Sequence, residues 1–330
     1  MTHSAHLNLK RFGDLRLETV PVPELREGEV LIKVLLLSLD PYMRPRMNDL
    51  ESYMEPVALN AVMVGESIGQ VLASRCEQFA EGDYVSCYSG WQEYYIASGE
   101  EAMFYKVDPQ ELPLSVFLGA AGMPGRTGYL GLTRVGKPES GETVVVSSAS
   151  GGVGSVVGQV AKMQGCHVVG VAGGRQKCDY VVNELGFDSC VDYKVDSFAE
   201  DLARACPDGI DVYFENVGGA VTKAVAPLLN KGSRVPICGY VSAYNDTDLA
   251  NAETPFHILE ALPEPPEHRF FLVTEWQDEH SQTTRQLAEW VGEGKIKYRE
   301  SVAEGLENAV DAFRGMLRGE NFGKQIVKVS

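Results

Sequence analysis

The chain has 330 residues, of which 44% are hydrophobic, and a net charge of −17. This length exceeds what one hydrophobic core usually serves, so we expect two domains. The acidic balance argues against nucleic-acid or anionic-membrane partners, and no apolar run is long enough to span a membrane. The seven cysteines are scattered without a CxxC pair, and the N-terminus lacks the apolar core of a signal peptide. We therefore expect reduced thiols in a cytoplasmic protein.

The first third of the chain has the composition of short strands separated by turns. β-branched and aromatic residues alternate there with Gly and Pro, which predicts an irregular β module. A helix at about 306–317 and a strand at 325–329 end the chain and are candidates to pack back on this module. The strand candidates of the first third are 29–34, 68–72, 84–87 and 93–97.

Between residues 143 and 290, apolar runs of strand length alternate with helical patterns. Near-continuous apolar strands separated by amphipathic helices predict a parallel sheet that is covered on both faces. The region is therefore predicted to be an α/β, doubly wound dinucleotide fold. The strand candidates are 144–146, 168–172, 190–193, 210–214, 235–238 and 270–273. The helix candidates are 152–162, 176–185, 198–205, 220–229 and 281–291.

A glycine-rich turn follows the first of these strands. Ala149, Gly151 and Gly154 occupy the three small-residue positions of G-x-G-x-x-G, and a helix is predicted from about Gly152. The free N–H groups and the dipole at the helix start attract a pyrophosphate. A tight structural turn is the alternative, but the position between a strand and a helix favours a dinucleotide. The predicted cofactor contacts are Ser150, Gly151, Gly152, Val153, Gly154 and Ser155.

The end of the next strand indicates which dinucleotide binds. NAD enzymes place a carboxylate there, on the ribose 2′-hydroxyl. This sequence has Arg175 and Lys177 instead, where a 2′-phosphate would lie. Both residues are alternatively solvated side chains, although cations at a helix start oppose the helix dipole. The pattern predicts NADPH as the cofactor.

Eight segments spread along the chain form a recognisable set. They are 38–44 (SLDPYMR), 122–129 (GMPGRTGY), 149–155 (ASGGVGS), 215–219 (ENVGG), 237–240 (ICGY), 242–245 (SAYN), 294–297 (GKIK) and 320–324 (ENFGK). Together they resemble one family, the zinc-independent branch of the medium-chain dehydrogenase/reductase superfamily. That branch includes leukotriene B4 dehydrogenases, prostaglandin reductases, plant alkenal reductases and bacterial curcumin reductases. The resemblance implies a GroES-like, β-rich catalytic domain at 1–120, completed by 300–330, and a Rossmann domain at 121–299. It also implies an active site in the cleft between the domains, and a homodimer.

The zinc ligands of the superfamily's alcohol dehydrogenases are missing. Leu37 stands at the position of the first cysteine and Gly65 at that of the histidine, so we expect no metal. The family then implies reduction of an enone or enal, with hydride added to the β-carbon and the developing oxyanion stabilised by a hydrogen-bond donor. Two alternatives stay open: a quinone reductase of the zeta-crystallin type, and a catalytically silent NADPH-binding redox sensor.

Tyr244 is the first candidate for that donor, because a phenol has a pKa of about 10 and is protonated near neutral pH. Tyr53 is a second catalytic candidate, with a role in shaping the pocket. Asp40, Tyr42 and Arg44 are expected to brace the cleft, with Arg44 paired to Asp40 and neither of that pair catalytic. The acidic, proline-rich segment 262–268 departs from the family pattern, so it leaves the substrate preference open. The resemblance adds as cofactor contacts Tyr193, Asn216, Cys238, Gly239, Tyr240, Tyr244, Phe270, Phe271, Leu272 and Asn321.

Overall fold

The computed structural model describes residues 3–11, 14–48, 55–101, 103–245 and 253–330. The chain divides into two compact units, Met1–Leu118 with Glu300–Ser330 and Gly119–Arg299. Among the described helices, none combines the length and the apolar character needed to cross a membrane.

The strands and helices are numbered in chain order. The strands are β1 His3–Arg11, β2 Asp14–Pro21, β3 Glu29–Leu39, β4 Ser67–Ser74, β5 Tyr84–Cys87, β6 Tyr94–Ser98, β7 Tyr105–Lys106, β8 Thr143–Ser147, β9 His167–Ala172, β10 Ser189–Asp192, β11 Ile210–Phe214, β12 Leu229–Ile237, β13 Glu267–Phe270, β14 Glu300–Glu304 and β15 Lys324–Lys328. The α-helices are α1 Met123–Leu130, α2 Gly154–Met163, α3 Arg175–Asn183, α4 Phe198–Ala205, α5 Gly219–Val225, α6 Pro255–Glu260, α7 His280–Gly292 and α8 Ala309–Leu317.

The first unit is built on a seven-stranded, mostly antiparallel sheet. Its strand order is β14-β15-β3-β4-β5-β7, with β6 also paired to β3, and β1 and β2 form a separate hairpin. Near the end of the chain, β15 pairs antiparallel with β3, with Gln325 opposite Leu39. The core includes Val34, Trp91 and Phe313. Trp91 and Phe313 meet edge to face, with ring centroids 5.6 Å apart.

The second unit is a six-stranded parallel sheet in the order β10-β9-β8-β11-β12-β13. The strand order reverses between β8 and β11, and open sheets of this kind bind ligands at the carboxyl ends of the strands beside such a reversal. Every residue of β8 is buried, which explains its continuous apolar sequence. The predicted class, a GroES-like β-rich domain with a doubly wound Rossmann domain, is confirmed.

Some predicted element bounds were wrong. The helix predicted at 220–229 ends at Val225, because Pro227 lacks an N–H and cannot extend the α-helical ladder. The last strand of the parallel sheet, β13, spans Glu267–Phe270 rather than the predicted 270–273, so it begins inside the proline-rich segment 262–268. Helix α1 was not predicted, because its glycines obscure the apolar period. Gly125 is required there, since a Cβ would lie 1.8 Å from the Ala120 carbonyl oxygen.

Candidate functional site

The turn after β8 is held closely against α2. Ser148 has a positive φ of 53°, and the Ala149 N–H donates to the Val171 carbonyl oxygen at 3.0 Å. A Cβ on Gly154 would lie 2.3 Å from the Ser148 carbonyl oxygen, so a larger residue there pushes the helix off the strand. The helix begins at Gly154, two residues later than predicted.

The start of α2 has unused donors. The N–H groups of Gly152, Val153 and Gly154 make no hydrogen bond within the described ranges, and no side chain caps the helix. The first N–H groups of a helix lack intrahelical partners and carry a partial positive charge. Three adjacent donors of this kind fit the oxygens of a pyrophosphate.

A second candidate region lies around Gly173, where β9 and β10 end, and is called the corner. A Cβ on Gly173 would lie 2.8 Å from Tyr193 Cε1 and 3.0 Å from Lys194 Cε, so both side chains lie against the Gly173 backbone. Asp192 Oδ1 accepts hydrogen bonds from the N–H groups of Gly174, at 2.8 Å, and of Lys194, at 3.0 Å. This carboxylate joins the two strand ends, and its oxygen is occupied by backbone donors.

Two lysines meet at this corner. Partial burial lowers the pKa of Lys177, and the nearby charge of Lys194 lowers it further. Lys194 forms no ion pair with any residue that the structure describes. Arg175 is different: its side chain is 92% exposed and lies 3.7 Å from Asp179. Sequence reasoning missed Lys194, although a lysine directly after the third strand of the sheet was a usable signal.

The turn after β11 is organised by Glu215, which is fully buried. Its carboxylate accepts from the Ser147 hydroxyl at 3.1 Å, from two backbone N–H groups of the turn at 2.7 and 3.0 Å, and from the Thr222 hydroxyl. The Asn216 side-chain amide donates to the Ser147 carbonyl oxygen at 2.7 Å. These bonds fix Asn216 beside the end of β8. Sequence reasoning missed Glu215 as the organising group.

The end of β12 carries the aromatic candidates. Tyr244 is only 6% exposed, and its hydroxyl would lie 2.9 Å from a Cβ on Gly239. The rings of Tyr240 and Tyr244 meet edge to face with centroids 5.6 Å apart. Burial raises the pKa of the Cys238 thiol to about 12, with a further contribution from Glu215, so this thiol stays protonated. The loop after β12 thus places a phenol at the carboxyl edge of the sheet.

The predicted contacts at 270–272 are placed differently from one another. The Phe271 side chain is buried: a Cβ on Gly131 would lie 2.2 Å from Phe271 Cζ, and the Phe214 ring lies 6.0 Å away, centroid to centroid. Phe270 packs partly buried on the apolar cluster beneath the sheet, and the Leu272 N–H donates to Glu275 at 2.9 Å. Because the Phe271 ring is buried in the core, only the backbone of Phe271 is available to contact a ligand.

Two predicted site residues lie outside the second unit. Asn321 belongs to the first unit, where its side-chain amide donates to the Gly323 carbonyl oxygen at 2.8 Å and forms a local turn. Tyr53 lies outside the described residues.

The expected pairing of Asp40 with Arg44 was wrong. Asp40 instead receives hydrogen bonds from Ser38 and from Lys324, whose Nζ lies 2.8 Å from Asp40 Oδ1. Arg44 donates to Asn48 Oδ1 at 2.8 Å. A lysine from β15 therefore neutralises the buried carboxylate and ties the chain end to β3.

The positions at which zinc enzymes carry ligands are filled with apolar atoms. A Cβ on Gly65 would lie 3.0 Å from Leu37 Cδ1 and 3.2 Å from both Met43 Cε and Trp91 Cδ1. Within the described residues, no group of three or more His, Cys, Asp or Glu side chains is placed to hold a metal ion. The side chains around Gly65 offer no thiolate or imidazole and do not fit zinc.

Comparisons with known proteins agree with this architecture. Residues 8–105 match the family described as the N-terminal domain of oxidoreductase, and residues 152–259 match the zinc-binding dehydrogenase family. The chain is 46% identical over 320 residues to the NADPH-dependent curcumin reductase of Escherichia coli, covering 96% of this chain and 92% of that protein. It is 41% identical to prostaglandin reductase 1 of Bos taurus, covering 99% and 100%. The crystal structure of CurA in complex with NADPH from Vibrio vulnificus is 43% identical, covers 99% of both chains and has a TM-score of 0.92.

Proposed function

The chain belongs to the medium-chain dehydrogenase/reductase superfamily, in the branch of the curcumin and prostaglandin reductases, and we propose that it reduces the C=C bond of α,β-unsaturated ketones and aldehydes with NADPH. The observation that carries this proposal is the sequence similarity along nearly the whole chain, with 46% identity to an NADPH-dependent curcumin reductase. The geometry of the dinucleotide site supports it independently.

The cofactor is held by two kinds of groups. The free N–H groups at 152–154 bind the pyrophosphate, because they lie at the positive end of α2. Lys177, Lys194 and the Tyr193 hydroxyl bind the 2′-phosphate. Asn216 and the backbone at 238–240 lie at the carboxyl ends of β11 and β12 and hold the nicotinamide half.

Bound NADPH supplies a hydride to the β-carbon of the substrate. Negative charge then develops on the carbonyl oxygen, and the Tyr244 hydroxyl donates a hydrogen bond to it. The apolar packing around Gly65 does not fit zinc at the position it has in alcohol dehydrogenases. The neutral Tyr244 hydroxyl therefore stabilises the oxyanion in place of a metal ion. Conjugate reduction needs less polarisation of the oxygen than alcohol oxidation does, which matches a phenol rather than a metal.

The test is NADPH oxidation by the purified protein with enones, enals and quinones, followed by product analysis. We expect turnover with enones and enals and a saturated ketone or aldehyde as product. Turnover with quinones alone makes the protein a quinone reductase. Tight NADPH binding without any turnover makes it a redox sensor or another binding protein.

The role of Tyr244 is tested separately with Tyr244→Phe. We expect kcat on enones to fall by about tenfold to a hundredfold, because one oxyanion donor is lost, while the Kd for NADPH changes little. Tyr129→Phe removes a hydroxyl from a half-buried ring packed on Trp290 and is the control. Unchanged kcat in Tyr244→Phe removes this residue from the mechanism.

We also propose that the protein is a cytoplasmic homodimer. All seven cysteines are free, as expected in a reducing compartment. Light scattering coupled to gel filtration tests the dimer, which a monomeric mass contradicts. Cell fractionation tests the compartment, and recovery in the membrane or extracellular fraction contradicts the cytoplasm.

A further inference from the structure

Two backbone N–H groups at the corner donate to the same side chain. The last register pair of β9 and β10 is Ala172 with Asp192. Gly174 and Lys194 follow this pair, one on each chain segment, and lie outside the register of the two strands. Asp192 Oδ1 accepts from the Gly174 N–H at 2.8 Å and from the Lys194 N–H at 3.0 Å. A single carboxylate oxygen therefore holds the two segments together beyond the end of the strand pairing.

The first of these bonds acts on Lys177 through Gly174. The Gly174 carbonyl oxygen accepts from the Lys177 N–H at 3.0 Å and from the Cys178 N–H at 3.2 Å, which closes the first turn of α3. Gly174 has a φ of 96°, and a glycine in this region has wide backbone freedom unless a contact fixes it. The hydrogen bond from its N–H to Asp192 is such a contact. The carboxylate therefore determines where α3 begins and from where the Lys177 side chain extends.

The second bond acts on Lys194 directly. Asp192 accepts from the N–H two residues further along the chain, a turn that Asp side chains commonly form with their own backbone. The Tyr193 ring and the Lys194 side chain both lie against the Gly173 backbone. Burial and the charge of Lys194 lower the pKa of Lys177, so the two cations are close enough to repel each other. The bonds to Asp192 oppose their separation.

We propose that Asp192 is a positioning residue that sets the preference for NADPH, because it holds Lys177 and Lys194 at the 2′-phosphate through their backbone. The proposal rests on the assignment of these lysines to the 2′-phosphate in the proposed function. The negative charge of a carboxylate repels a phosphate, so the charge of Asp192 acts against NADPH binding and its hydrogen bonds act in favour of it. The two effects have opposite signs, and substitutions of Asp192 separate them.

The experiment compares three substitutions in the full-length protein. Asp192→Ala removes the charge and the acceptor, Asp192→Glu keeps the charge but moves the oxygen by one methylene, and Asp192→Asn removes the charge but keeps an acceptor oxygen. Calorimetric titration measures the Kd values for NADPH and NADH. We expect Asp192→Ala and Asp192→Glu to raise the Kd for NADPH about tenfold, the value of one charge-assisted hydrogen bond, and Asp192→Asn to stay within about threefold of the wild type. The Kd for NADH should not change in any of the three.

A control variant and a smaller ligand locate the effect. Asp196→Ala removes an exposed carboxylate four residues further along the chain, and it should leave the Kd values for both cofactors unchanged. Adenosine 2′,5′-bisphosphate carries the 2′-phosphate without the nicotinamide half. Its Kd should rise in Asp192→Ala by the same factor as the Kd for NADPH. Circular dichroism during thermal unfolding verifies that each variant is folded.

The proposal is overturned if Asp192→Ala binds NADPH as tightly as the wild type or more tightly, since the carboxylate then acts by repulsion or not at all. It is also overturned if Asp192→Ala weakens NADH binding equally, as a purely structural residue would, or if Asp192→Asn loses as much NADPH affinity as Asp192→Ala. The cofactor assignment is checked separately. A wild-type protein that prefers NADH contradicts the proposed function, whereas a preference for NADPH that Asp192→Ala retains in full contradicts only the role of Asp192.

Discussion

The turn after β8 and the corner at the ends of β9 and β10 offer two different ways to bind a phosphate. The turn, 148–154, contains no charged side chain and presents three backbone N–H groups. The corner presents two lysines and a tyrosine around Gly173. One region is built from backbone shape, and the other from side-chain charge.

This difference separates affinity from specificity. Backbone donors at a helix start bind any dinucleotide pyrophosphate, so in the proposed assignment the turn binds NADH and NADPH alike. In the same assignment the lysines contact only the 2′-phosphate, which NADPH carries and NADH lacks. The turn is therefore sensitive to added volume and the corner to lost charge, and substitutions distinguish the two regions.

Gly154→Ala has the largest expected effect, because it breaks the turn for both cofactors. The added Cβ would lie 2.3 Å from the Ser148 carbonyl oxygen, so α2 must move away from β8. We expect the Kd values for NADPH and NADH to rise together by a hundredfold or more, roughly the loss of two hydrogen bonds to a charged group. Calorimetric titration measures both.

Gln164→Ala at the exposed end of the same helix is the matched control and should leave both Kd values unchanged. Circular dichroism verifies that Gly154→Ala remains folded. If Gly154→Ala weakens NADPH alone, the turn does not bind the shared pyrophosphate, and the contrast between the two regions fails.

Lys177→Met comes next and acts on one cofactor only. We expect the Kd for NADPH to rise by roughly tenfold to a hundredfold, since one charge-assisted bond to the 2′-phosphate is lost. The Kd for NADH should stay the same. The ratio of the two Kd values, measured by fluorescence, isolates the corner from the turn.

Arg204→Met removes an exposed cation that pairs with Asp201 on α4, and it controls for the change in net charge. Arg175→Met should resemble this control, because Arg175 is almost fully exposed. An equal loss for NADPH and NADH in Lys177→Met would show that this lysine supports the fold rather than the phosphate.

The sequence predicted the parallel sheet well because its strands are buried on both faces. The run at 143–147 has no polar alternation, and β8 is accordingly buried throughout. Helix α1 was missed for the opposite reason: its glycines serve close backbone approach, as at Gly125, and so carry no apolar period. Local pattern predicts elements whose burial is uniform, and it fails where a tertiary contact selects the residue.

The same limit applies to the site. The glycine turn and Lys177 could be proposed from the sequence because they follow a strand at a fixed distance along the chain. Lys194 and Glu215 were not, because their roles depend on strands that are distant in sequence. Lys194 becomes relevant only when β10 pairs with β9, and Glu215 only when β11 lies beside β8. The spacing of residues within a motif carries no information about contacts that form only when distant strands become neighbours in the sheet.

Lys194→Met sharpens the comparison with a smaller effect. We expect the Kd for NADPH to rise about threefold to tenfold. The effect is small because the Lys194 ammonium is at the end of a flexible side chain and shares the phosphate with Lys177. NADH binding should not change. Lys231→Met, on a solvent-exposed lysine of β12, is the control. If Lys194→Met binds NADPH like the wild type, only Lys177 and Tyr193 remain as ligands for the phosphate.

The smallest effect is a pH dependence confined to the corner. Burial, and then repulsion from Lys194, lower the pKa of Lys177, so the wild-type lysine loses its charge at a lower pH than an ordinary lysine. The preference for NADPH over NADH is therefore complete below that lowered pKa and declines as the pH rises through it. In Lys194→Met the repulsion is gone, the pKa of Lys177 rises, and the decline moves to higher pH. Kd values for both cofactors between about pH 7 and 10 measure this shift. The turn carries no titratable side chain, so the Kd for NADH should not change with pH. An equal decline in NADH affinity would show that the pH dependence is not confined to the corner.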